Sequence, residues 1–148
     1  MKKFLLLAVV VGGAWYYLHQ PAAAWRGMPA PRDPIQTAPA VPATFERAGV
    51  TFTPLASYHV SAVVLSRCRY RYDRSSELAP VDLALGWGPM SVASTINDLE
   101  ISQSGRWYEY SWRNEPPLDP SSIATHSANT HCLPANDAIR HDLLTVKR

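Results

Sequence analysis

ISQSGRWYEYSWR (101–113) holds a turn dipeptide, Ser104-Gly105, between two short runs of alternating character. Trp107, Glu109, Ser111 and Arg113 fall on one side of the second run, and Arg106, Tyr108, Tyr110 and Trp112 on the other. Period two with aromatic enrichment is the pattern of a strand, and a glycine turn between two such runs predicts a hairpin. Upstream, SYHVSAVVLS (57–66) alternates in the same way and predicts another strand. Between them, Pro80 opens a predicted helix over 80–85, broken by Gly86-Trp87-Gly88-Pro89. Ser91 caps a second helix over 92–99, with Val92, Ile96 and Leu99 on its inner side. Asp119, followed by Pro120, starts a third that runs to about Ser127. Asn136 caps a fourth, with Ile139, Leu143 and Leu144 on one face. Strands on both sides of a helical middle predict an α+β fold: a small mixed domain of antiparallel strands and three to four short helices.

A chain of 148 residues holds about one domain, which excludes a multidomain enzyme, a repeat solenoid or a large barrel. Lys2 and Lys3 precede the apolar run FLLLAVVVGGAWYYL (4–18), so residues 1–20 read as a signal-anchor, a transmembrane helix. Fifteen helical residues span about 22.5 Å, short of the ~30 Å hydrocarbon core. Trp15, Tyr16 and Tyr17 suit the interface, while Ala22-Ala23-Ala24 suits cleavage and release to the periplasm. Residues 21–44 carry six of the thirteen prolines and read as an extended spacer that keeps a folded domain, 45–148, off the membrane.

The formal net charge of +2 is unevenly spread: residues 1–44 hold +3 and residues 45–148 hold −1. A domain near neutrality lacks the positive field that drives nucleic-acid binding, so no nucleic-acid partner is expected. The local exception is Arg67, Arg69, Arg71 and Arg74, interleaved with Cys68, Tyr70 and Tyr72. Arg69 and Arg71 are candidate anion binders; the plainer reading is the solvated face of an edge strand.

The densest polar cluster is HSANTHCLPAN (126–136). His126, Asn129 and His131 are candidate catalytic residues, an imidazole acting as base and the amide orienting a substrate. His126, His131, Cys132 and His141 are candidate zinc donors, since imidazole and thiolate suit that ion. The five-residue step from His126 to His131 is not the i, i+4 spacing of a metal-binding helix. The competing reading has these side chains satisfying backbone groups where a helix stops and a strand begins, with no cofactor at all. Trp87 and Trp107 are candidate stacking surfaces, against a core plug for Trp87 and a strand with one face inward for Trp107. Cys68 and Cys132 lie 64 positions apart, and in an exported chain they either pair or stay free.

Tyr72-Asp73-Arg74, SSELAPVDLALGWGPMS (75–91), ISQSGRWY (101–108) and HSANTHCLPAN, in that order, resemble an uncharacterised family of small bacterial proteins. Its members have one N-terminal membrane segment, a proline-rich spacer and a single domain. The resemblance implies a single-pass protein of the bacterial inner membrane with its C-terminal domain in the periplasm, and implies no reaction. The chain departs from the family's pattern at Cys132, where an aliphatic residue or methionine is usual. The family also continues past Val146-Lys147-Arg148 with further strands, which implies an incomplete small barrel with unpaired edges. The expected role is binding or assembly with an envelope protein; the alternative is a metal-assisted hydrolase, including phosphodiester chemistry, built on His126, Asn129 and His131.

Overall fold

A computed structural model describes residues 24–38, 44–72 and 74–147. The expected membrane segment falls outside these, and no described helix is long and apolar enough to cross a membrane. In chain order the elements are β1 (Ile35–Thr37), β2 (Phe45–Arg47), β3 (Val50–Phe52), β4 (Ser57–His59), β5 (Val63–Arg69), β6 (Val81–Gly86), α1 (Ala93–Asn97), β7 (Glu100–Ser104), β8 (Trp107–Ser111), α2 (Pro120–Thr125), β9 (Ser127–Cys132) and α3 (Asp137–Thr145). All pairings are antiparallel, so the fold is a small mixed α+β domain with three described α-helices.

A three-stranded sheet ordered β5-β6-β9 forms the centre. Its middle strand occupies the segment expected to be helical: VDLALG (81–86) is β6, and Pro80 precedes the strand instead of opening a helix. Six apolar-rich residues fit either state locally; hydrogen bonding to β5 on one side and β9 on the other decides for the strand. Val81 and Ala84 are fully buried and Leu83 nearly so, as a strand covered on both faces requires. The strand expected over 57–66 also differs, splitting into β4 and β5 around residues 60–62.

The hairpin β7–β8 packs its inner side on the core. Leu65, Met90, Ile96 and Ile123 are fully covered, and Tyr108, Tyr110 and Trp112 close over the same cluster with ring centroids 5.8 and 6.4 Å apart in succession. β7 approaches β5 and β8 approaches β9, yet neither seam forms a ladder. Two expected caps are present: Asp119 Oδ1 accepts from Ser121 N at 2.8 Å, and Asn136 Oδ1 from Ile139 N at 2.9 Å. Ser91 is not a cap. Val92 takes that position, and the Ser91 hydroxyl donates to Gly88 O and accepts from Ala30 N.

Ala30 belongs to the expected spacer, and its burial corrects that reading. Trp25 N donates to Asn97 Oδ1 at 2.8 Å, and Gly88 N donates to Ala30 O, also at 2.8 Å. Trp25 packs against the core cluster, and β1 pairs with β4 in register Ile35↔His59. Proline-rich backbone cannot build a core, but it can lie on one, because its carbonyls and the amides between prolines still bond. Residues 24–38 are thus part of the domain.

Gly86 and Gly88 bracket Trp87, which is 7% exposed, as a core plug should be. A Cβ on Gly86 would collide with Met90 O and come within 3.0 Å of the Leu65 side chain, so only glycine lets the turn after β6 fold back. Gly86→Ala is therefore expected to lower stability by about 1–3 kcal/mol in urea unfolding, by overpacking.

Candidate functional site

The three-stranded sheet sets the site. Paired residues share a face, so Cys68, Asp82 and His131 form one row, and Arg69, Val81 and Cys132 form the next on the opposite face. Two strand spacings, about 9.6 Å, separate β5 from β9. That corrects the Cys68–Cys132 pairing: β6 lies between the two cysteines, they point to opposite faces, and both thiols are free. Burial, with the charge of Asp82 second, raises the Cys132 thiol above its ordinary value and keeps it protonated.

Asp82 sits in the first row with no exposed surface. A bare carboxylate there would cost several kcal/mol, so the fold must bring a cation to it. Arg106 does so from the hairpin turn, with Nη1 2.8 Å from Asp82 Oδ1. The turn is the two-residue loop Gly105-Arg106, one position later than Ser104-Gly105, because Ser104 pairs with Trp107. Both loop residues have positive φ, 53° and 71°, the type I′ geometry that suits strand twist but strains a side chain at Arg106.

Contacts along the whole residue offset that strain. Arg106 Nη1 also donates to Ala79 O at 2.8 Å, and Nη2 to Ser75 Oγ at 2.9 Å. Its Cζ lies 3.7 Å from the centroid of the Tyr70 ring, its N–H donates to Tyr70 Oη, and its carbonyl accepts from Asn129 Nδ2 at 3.0 Å. Gln103 Nε2 completes the bridge by donating to Asn129 Oδ1 at 2.7 Å. Asn129 is thereby a clamp between sheet and hairpin, with both ends of its amide engaged.

His131 meets the other carboxylate oxygen. Its Nδ1 is 2.8 Å from Asp82 Oδ2, close enough for an ion pair when the ring is protonated but without the alignment of a hydrogen bond. The imidazole is half exposed, so a buried carboxylate at Nδ1 leaves Nε2 toward solvent. His126 lies at the opposite end of β9, about 16 Å along the strand. There Nδ1 donates to Ser122 O at 2.8 Å at the end of α2, and the ring covers Gly88.

The four candidate zinc donors are therefore dispersed. His126 closes α2, His131 joins Asp82, Cys132 points to the other face, and His141 lies exposed on α3. Among the described residues no group of three His, Cys, Asp or Glu side chains is close enough to hold an ion. Arg69 and Arg71 are exposed, Arg69 at the end of edge strand β5 and Arg71 just past it, with Tyr70 and Tyr72 lining the same open depression. Trp107 faces outward, 73% exposed.

Sequence reasoning missed Asp82, Arg106, Tyr70 and Gln103 as a unit. The signal was present in one place: Asp82 is the sole charged residue of VDLALG. A carboxylate inside a buried run demands a partner.

The sheet edges differ as well. Trp87 N donates to His126 O, and alternation from that bond turns the backbone groups of Ser127, Asn129 and His131 away from β6. No described strand pairs with them. On the other side, β5 carries Arg67, Arg69 and a bulge between Val64 and Ser66, all of which discourage strand addition. β9 contains no Lys, Arg, Asp, Glu or Pro and has an unbroken register.

Arg106→Ala is expected to cost about 3–5 kcal/mol in chemical denaturation, since it strands a buried charge. Arg113→Ala breaks the Glu100 pair, whose side chains are 83% and 61% exposed, and is expected to cost about 0–1 kcal/mol. Desolvation first, then the contact with Cys68, pushes the Tyr70 phenol from 10.0 up to about 12, against the pull of the Arg106 amide. The unfolded chain then loses this proton first as pH rises through 10.0, so stability falls from there towards pH 12. Tyr70→Phe is expected to flatten that decline in pH-dependent unfolding curves, and phenolate absorbance should show Tyr70 ionising after the exposed tyrosines. Comparison with protein-family models, with curated proteins and with solved structures finds no match.

Proposed function

We propose that this chain is a single-pass protein of the bacterial inner membrane whose periplasmic domain acts by binding, adding an extended strand of an envelope protein to β9. The observation that carries the reading is the contrast between the two sheet edges: β5 guarded by arginines and a bulge, β9 with no described strand beside its outer edge and no acidic, lysine, arginine or proline residue or bulge over its six residues. Strand addition draws affinity from main-chain bonds and needs no deep pocket. The unjoined seams between the hairpin and the central sheet support the finer reading of an incomplete small barrel. The apolar leader and the motif order shared with the small bacterial family support the placement in the membrane.

A second reading, hydrolysis, is favoured by one contact. Asp82 Oδ2 lies 2.8 Å from His131 Nδ1 with the half-exposed ring open to solvent, and a modest rotation that aligned the pair would orient the imidazole as acyl transfer requires. This form of the hydrolase keeps His131, uses Asn129 for structure, and leaves out His126, which lies too far along β9.

Hydrogen exchange of the full chain, in native membranes and after detergent extraction, tests the binding reading. The outward amides of Ser127, Asn129 and His131 are expected to be protected in membranes and to exchange fast in detergent. Thr130→Lys is expected to abolish the protection while changing stability by no more than about 0.5 kcal/mol. Equal exchange in both preparations overturns strand addition. Turnover of a simple ester or phosphodiester that His131→Gln abolishes would turn the choice toward hydrolysis.

A further inference from the structure

We infer that the domain lies against the surface of its own membrane, with the loop at Arg26–Met28, and Val92 next to the Ser91 that holds Ala30, turned to the phospholipid headgroups. This rests on the reading of residues 4–18 as a retained anchor. From Leu18 to a free domain start at residue 45, an unattached spacer could reach about 90 Å, enough to let the domain face any direction. The spacer is not unattached. Trp25 bonds Asn97 through both its N–H and its carbonyl, at 2.8 and 3.3 Å. Five residues on, Ala30 is 7% exposed and held from both sides, by Ser91 Oγ at 2.9 Å and Gly88 N at 2.8 Å.

Only residues 19–24 remain between the apolar run and the first clamp, a reach of at most about 25 Å. A domain of this size is about 35 Å across. A tether shorter than the body it holds bars the attached end from pointing straight away from the bilayer and so favours that end as the one facing it. That end is where Trp25 meets α1, away from the Gly105-Arg106 turn at the far end of the β7–β8 hairpin.

The side chains there suit a headgroup layer. Met28 is 88% exposed and Val92, beside Ser91, is 40% exposed. Arg26, two residues before Met28, is exposed as well and matches lipid phosphate. An apolar side chain next to a cation is the pairing that enters the boundary between headgroups and acyl chains.

The test uses the full chain in phospholipid vesicles, with Cys68→Ser and Cys132→Ser removing the native thiols. A fluorophore is attached through Met28→Cys in one sample and through Tyr72→Cys in another. Met28 and Tyr72 are 88% and 97% exposed, so neither label disturbs packing, and Tyr72 is two residues past Tyr70, which bonds the hairpin turn. Headgroup-spin-labelled lipid is expected to quench the label at position 28 several-fold more strongly than the label at position 72. Equal quenching at the two positions, in chain that floats with the vesicles, overturns the orientation and leaves the anchor standing. Chain that fails to float with vesicles overturns the anchor and the orientation together.

Discussion

The buried carboxylate of Asp82 is the constraint on which the rest of the site depends. It stands in the middle strand of the central sheet with no exposed surface, where an unpaired charge is too costly to persist. Arg106, 24 residues later, must therefore be delivered to it, and that requirement orders the hairpin over the sheet. The left-handed backbone at Arg106 is the local cost of aiming its side chain inward. Stacking on Tyr70 and bonds to Ala79, Ser75 and Asn129 spread the compensation across four segments. The same carboxylate is what gives His131 a defined environment at all.

Around this pair the domain is finished unevenly. Its aromatic hairpin closes the core from one side, and the stretch from Trp25 to Ala30 closes it near α1. Both do so by contact and a few side-chain bonds, without extending the central sheet. The consequence is two sheet edges of opposite character. Arginines and a bulge isolate β5, and β9 carries no such guard and has no described strand on its outer side. The proposed strand addition and the proposed orientation at the membrane are compatible, because β9 is held by β6 and not by the clamp at Trp25.

The histidine cluster shows how proximity in sequence misleads along a strand. His126 and His131 stand five residues apart in HSANTHCLPAN, close enough to suggest one site. Extended backbone pulls them to opposite ends of β9, one serving the end of α2 and the other Asp82. Residues that share chemistry on a strand must share parity and also lie within one or two pairs of each other. Asp82 and His131 meet that condition through a cross-strand pair, and nothing in a linear spacing announces it.

What the amino-acid sequence determined by itself is the local structure whose causes are local. Asp119-Pro120 and Asn136 start helices where they stand because their side chains bond amides two or three residues on. The alternation around Gly105 makes a hairpin for equally short-range reasons, and Trp87 between two glycines becomes a plug. The α+β class follows from those pieces. Tertiary structure alone decided the rest. VDLALG is a strand because partners on both sides bond its backbone, and a proline-rich stretch belongs to the domain because Asn97, Ser91 and Gly88 receive it. Cys68 and Cys132 remain apart because β6 comes between them. In each case the deciding bond joins residues far apart in the chain, and short-range propensity carries no term for it.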